Sequence, residues 1–114
     1  MRHQKKKKFG KGMDHRRKLL RTLASSVVLH ERIETTFANA RAVRPYLEKL
    51  ITKAKVQSLH IRRQLLADLT RNAAAKTFEV LGPKYQQRPG GYLRLTKLNN
   101  PKDGLSRVVV ELVD

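Results

Sequence analysis

The apolar pattern of this chain changes character at Leu81-Gly82-Pro83, and no other feature restricts its fold more. Before that point apolar residues recur at spacings of three and four, the period of a helix with one buried face. After it they alternate with polar residues, the period of a strand with one buried face. Glycine accepts the left-handed conformation that closes a helix and proline cannot continue one, so the tripeptide is expected to end the helical half. A chain of 114 residues with no Pro/Gly/Ser-rich linker is one compact domain. The expected class is α+β: about four helices packed on a small sheet, built from one short strand plus a C-terminal β-hairpin, with an extended basic N-terminal arm.

The individual elements follow from caps and periods. Asp14 is placed to cap a first helix whose stripe is Leu20, Leu23, Ala24, Val27 and Val28. Residues 32–37 alternate and are β-branched, which favours a short strand. Val43, Leu47, Leu50, Ile51 and Ala54 mark a second helix from about Ala38 to Lys55, in which Pro45 either kinks the helix or starts it. Ser58 caps a third helix carrying Ile61, Leu65 and Leu69 and ending near Thr70, and Asn72 caps a short Ala-rich fourth. Residues 84–91 form a basic loop with two adjacent glycines. The hairpin is then Tyr92–Leu98 and Leu105–Val113 around the turn formers of 99–104.

Charge decides the kind of partner. Twenty-six Lys and Arg against nine Asp and Glu give a net +17, a self-repulsion that destabilises the fold unless a polyanion cancels it. The excess is front-loaded: through Arg21 the only acid is Asp14. Residues 1–13 contain almost nothing to bury and are expected to be disordered alone, as an arm preceding a globular unit of 14–114. Nucleic acid is the expected partner, because each neutralised phosphate releases condensed counterions. Anionic membrane is the rival, but the best apolar run, residues 23–29, is far short of the roughly 20 residues that span a bilayer, and the basic opening is too long for a signal peptide. Zero cysteines exclude disulfides and thiolate metal sites, and cytoplasm is the default compartment.

No catalytic constellation is apparent. The nine acids are scattered singly among basic neighbours, and Gly90-Gly91 lacks the spacing of a phosphate-binding loop and precedes a strand. His3, His15, His30 and His60 show no i, i+4 pairing, so no metal and no other cofactor is expected. The candidate binding residues are the arm's Arg2, His3, Lys5, Lys6, Lys7, Lys8 and Lys11, continued onto the first helix by His15, Arg16, Arg17 and Arg21. Glycines in the arm remove bulk, so its cations can follow successive phosphates. A second set is Arg88, Gly90, Gly91, Tyr92 and Arg94: guanidinium forks suit phosphate, and a tyrosine face stacks on an unpaired base unless it is needed for the core. Arg62 and Arg63 on the third helix are a further pair, with a merely solvated helix face as the blander reading.

Several short motifs, in this order and spacing, resemble those of the bacterial large-subunit ribosomal protein seventeen family over nearly the whole length. They are Met1-Arg2-His3, His15-Arg16, His30-Glu31 with Ile33 and Thr35-Thr36, and Leu50-Ile51-Thr52 with Ala54-Lys55. Further on come Leu81-Gly82-Pro83, Arg88 with Gly90-Gly91-Tyr92 and Arg94, and Glu111-Leu112-Val113. The resemblance implies a helix-rich α+β structural protein of the large ribosomal subunit, bound to large-subunit ribosomal RNA and to neighbouring ribosomal proteins near the peptide tunnel exit. It implies no membrane and no small-molecule substrate. Two departures stand out: Met13-Asp14 replaces the family's usual serine pair, and the arm bunches Lys5 to Lys8 where the family spaces its basic residues. A DNA-binding nucleoid or regulatory protein is the competing class.

Overall fold

The computed structural model describes residues 13–98 and 107–114. Helix α1 runs Met13–His30, strand β1 Arg32–Thr36, helix α2 Phe37–Ala54, helix α3 Leu59–Asp68 and helix α4 Arg71–Lys76. The chain continues from α4 through a π-helical stretch, Thr77–Leu81, into a last helical turn, Gly82–Lys84, before strands β2 (Leu93–Leu98) and β3 (Arg107–Leu112). The architecture is α+β, with four helices against a three-stranded antiparallel sheet of order β1-β3-β2. The last strand therefore lies in the middle, with Ile33 opposite Val110 on one side and Leu95 opposite Val110 on the other. No helix among the described residues is long and apolar enough to cross a membrane. The expected arm, apart from Met13, and the hairpin turn with Leu105 lie outside the described residues.

Period 2 explains the sheet. Val108, Val110 and Leu112 of β3 join Leu93 in the core, while Glu111 and Arg107 point the other way. The core side is covered by α1 and α2 through Ala24, Val27, Val28, Val43, Leu47 and Ile51, all fully buried. Leu65, Leu69, Leu81, Tyr85 and Tyr92 complete it. Each large aliphatic side chain buried this way contributes about 1.5–3 kcal/mol.

Helix ends correct several expectations. Asp14 lies inside the first turn of α1, where its charge favours the helix dipole, and so does not precede the helix as a cap. The α2 helix contains Pro45 within it, eight residues after its start at Phe37, so Pro45 does not begin it. Its cap is Thr36, whose hydroxyl accepts from Asn39 N at 3.3 Å. Ser58 caps α3 as expected, accepting from Ile61 N at 3.2 Å. The residue before α4 is Thr70, whose backbone N–H donates to Ser25 Oγ at 2.9 Å, and Asn72 is inside the helix.

The largest correction concerns Leu81-Gly82-Pro83, which does not stop the helix. Gly82 is right-handed helical (φ −54°), and its N–H bonds to Thr77 O, five residues back. Buried Ala73, Thr77, Leu81 and Tyr85 are each four residues apart. In an α-helix such a stripe drifts by about 40° per step, and the wider π turn takes up that drift. In the same register the N–H of residue 83 would serve Phe78 O, but proline has none. Gln57 supplies the missing donor: its Nε2 lies 2.7 Å from Phe78 O and 2.8 Å from Ala54 O. Glycine is required at 82 for contact, not for conformation, since a Cβ there would sit 2.6 Å from Ala54 O and 2.8 Å from Gln57 Nε2.

Candidate nucleic-acid interface

On α1, His15 and Arg17 are exposed and Arg16 is half-buried, along the helix's N-terminal half. Arg16 and Arg17 border a shallow depression of about 240 Å³ with Met13, Leu20 and Tyr46. The Tyr46 hydroxyl donates to Asp68 O at 2.7 Å, which ties α2 to the end of α3. Burial, reinforced by the Asp68 carboxylate, holds its phenol above the ordinary tyrosine range. Arg21 is partly committed to the fold, because its guanidinium donates to Leu69 O at 3.1 Å and satisfies a carbonyl at the end of α3.

The second candidate set divides. Tyr92 is 1% exposed, with its ring packed 5.0 Å from that of Tyr85, so it cannot stack on a base. Its hydroxyl sits at the rim of the core, 3.2 Å from Thr52 Oγ1 and accepting from Lys55 Nζ at 2.9 Å. Burial pushes the phenol up, but the bonds from Lys55 and Thr52 and the Lys55 charge outweigh it, and the net shift is downward. Sequence alone could not decide this, because Thr52 and Lys55, which hold the Tyr92 hydroxyl, lie some forty positions earlier.

Lys55 also donates to Arg88 O, and Gln86 Nε2 donates to Lys55 O at 2.9 Å, so the end of α2 clamps the loop between Lys84 and Leu93. Within the loop Arg88 Nε donates to Gly90 O and Gly91 O, both at 3.2 Å. Gly91 adopts φ +66°, a conformation that side chains resist, and both glycines face open space. Arg88 and the two glycines thus form a fixed, exposed turn.

Arg94 projects from the sheet face away from the helices, 3.5 Å from Glu111, which Arg32 approaches at 4.0 Å from the other side. Arg107 bonds Glu34 at 3.1 Å on the same face. Arg94 is therefore shared with a carboxylate, although exposed pairs of this kind add little stability. Arg62 lies 4.0 Å from Glu79 and over the Phe78 ring at 5.7 Å, whereas Arg63 is exposed on α3. Structure does not bring this pair to the Gly90 turn: Arg62 borders a different depression with Leu66 and Arg71. Arg2, His3, Lys5, Lys6, Lys7, Lys8 and Lys11 lie outside the described residues.

Two lysines not singled out in the sequence join the site. Lys49 and Lys53 line an open groove of about 500 Å³ between α2 and the Gly90-Gly91 turn. Their signal was an i, i+4 pair on the polar face of α2, but the wall opposite them is contributed from far along the chain. Among the described residues no group of three or more His, Asp or Glu side chains could hold a metal ion.

Fold and surface together define a small α+β protein that presents several separate basic patches and, among the described residues, no gathered metal constellation. The family model for "Ribosomal protein L17" matches residues 19–113. A "Large ribosomal subunit protein bL17" from Acidobacterium capsulatum is 44% identical over 108 residues, 93% of this chain and 68% of the relative. Its counterpart from Carboxydothermus hydrogenoformans is also 44% identical, over 93% of this chain and 96% of the relative. The one from Thermomicrobium roseum is 40% identical over 99% of both chains. The chain belongs to the ribosomal protein L17 family.

Proposed function

We infer that this protein is a structural constituent of the large ribosomal subunit that binds ribosomal RNA and supports translation without turnover. Membership of the L17 family across residues 19–113 carries the reading. The excess of 26 Lys and Arg over nine acids supplies the physical reason: cations distributed over the surface screen phosphates that folded RNA brings together. Association with ribosomal RNA and with other ribosomal proteins follows from the same membership, in the bacterial cytoplasm.

The proposal extends to finer points. Residues 1–13 act as an RNA-binding arm that carries Arg2, His3, Lys5, Lys6, Lys7, Lys8 and Lys11 into grooves too narrow for the globular part of 14–114. The family resemblance further suggests neighbours close to the peptide tunnel exit. A chain lacking residues 1–12 is expected to fold, to bind large-subunit RNA more weakly, and to lose roughly one unit of salt slope per phosphate contact removed. Unchanged binding and slope would remove the arm from the mechanism. Absence of the full chain from salt-washed large subunits, or tight sequence-dependent binding to duplex DNA, would overturn the ribosomal reading itself.

A further inference from the structure

We propose that the groove between α2 and the Gly90-Gly91 turn receives an unpaired stretch of ribosomal RNA, with Lys49 and Lys53 on adjacent phosphates. The inference rests on the RNA-binding reading above and assigns it a specific place on the globular part.

Three observations carry it. Charge is the first: Lys49 and Lys53 are exposed and, among the described residues, have no carboxylate partner. The acid beside them, Glu48, is already committed, accepting from Leu93 N at 3.2 Å and lying 3.8 Å from Arg44 Nε. The groove therefore offers two unshared cations and favours an anionic occupant. Their spacing along α2 is about 6 Å, within reach of neighbouring phosphates for flexible lysine stems.

Shape is the second. The groove, about 500 Å³, falls within the range of clefts that enclose small ligands, about 300–1,000 Å³, which suits a nucleotide or two and not a duplex. Pro45 and the lysine stems give it an apolar surface for sugar or base, the part of RNA that unpaired segments expose, with the buried Tyr92 behind them.

Rigidity is the third. Gly90 and Gly91 leave open space where side chains would stand, and the turn is held by Arg88, Lys55 and Gln86 before any ligand arrives. A fixed wall without side chains lets a nucleic-acid backbone approach closely at little ordering cost. Lys55, whose amine is used on Arg88 O and Tyr92, is a positioning residue and not a contact.

Two variants of the full chain test the proposal through different properties. Lys49→Gln with Lys53→Gln removes charge and keeps shape. Gly90→Leu adds bulk at the turn that walls the groove and keeps charge, and the fold admits it because no atom lies within 4 Å of a Cβ at 90 and its φ is not left-handed. The probe is transcribed large-subunit ribosomal RNA, titrated over a range of KCl. Both variants should melt like the parent. Each should bind about tenfold more weakly near physiological salt, and the double substitution should lower the salt slope by about 1.4, from about 0.7 per single-strand phosphate contact. If the parent binds with a steep slope and neither variant differs from it, the groove is not the site, while the general RNA-binding reading stands. Loss in only one of the two variants overturns the proposal, because charge and shape then act separately. Normal RNA binding combined with failure to enter reconstituted subunits would mean that a protein occupies the groove. A parent that does not bind the RNA refutes both readings.

Discussion

Replacing Gly82 by alanine sets two physical arguments against each other, with opposite signs. Helix propensity alone predicts stabilisation of about 1 kcal/mol, because Gly82 is a right-handed helical residue and alanine restricts the unfolded chain. Packing predicts the reverse. The new Cβ would stand 2.6 Å from the Ala54 carbonyl oxygen, a backbone atom at the end of α2, and 2.8 Å from Gln57 Nε2. Overpacking of this kind costs about 1–3 kcal/mol. Moving Gln57 aside weakens its bonds to Ala54 O and Phe78 O, each worth about 1 kcal/mol, and leaves without a donor the carbonyl that Pro83 cannot serve. After subtracting the propensity gain, the net loss should be about 2 kcal/mol, or roughly 8 °C in melting temperature for a domain of this size. Urea titration of Gly82→Ala, followed by circular dichroism with thermal melts in parallel, measures it. A variant as stable as the parent, or more so, would show that the contact between α2 and the π-helical stretch is not what requires glycine there.

Capping can be checked within one molecule. Ser58→Ala should cost about 1 kcal/mol, since its hydroxyl accepts from Ile61 N, whereas Thr70→Ala should cost distinctly less, since its side chain makes no capping bond. Equal losses in urea titration would argue against that distinction. The three tyrosines should separate in an ultraviolet absorbance titration, with Tyr92 ionising below the ordinary value near 10 and Tyr46 and Tyr85 above it. For Tyr46 and Tyr85 the folded pKa is raised by burial, so their contribution is complete below about pH 10 and is lost as pH rises through the folded values. Stability that holds steady through that alkaline window would contradict the burial of these hydroxyls.

The elements were readable wherever the determinant was local. The stripe of α2, the cap at Ser58 and the alternation of β2 and β3 depend on residues a few positions apart, and the structure carries them as the pattern implies. The fate of Leu81-Gly82-Pro83 was not readable, because glycine and proline are compatible both with a stop and with a π-helical passage, and Gln57, twenty-five residues earlier, decides between them. Tyr92 posed the same difficulty: core and stacking uses demand the same residue, and the choice is made by Thr52, Lys55 and Tyr85. Cationic character was evident from composition, but which cations are spare was not. Arg21 and Arg94 already have partners within the protein, and among the described residues Lys49 and Lys53 have no carboxylate partner.

The order β1-β3-β2 bears on how this molecule is made. Arg32–Thr36 and Leu93–Leu98 are joined in the sheet through Arg107–Leu112, so neither finds its neighbour until that segment has been synthesised and has emerged from the ribosome. Until then the helical half can collapse on itself, but two strands wait with open hydrogen-bonding edges, a state prone to mispairing. A nascent chain halted before Arg107 should accordingly be protease-sensitive over residues 93–98, and closure of the sheet should be among the last events of its folding.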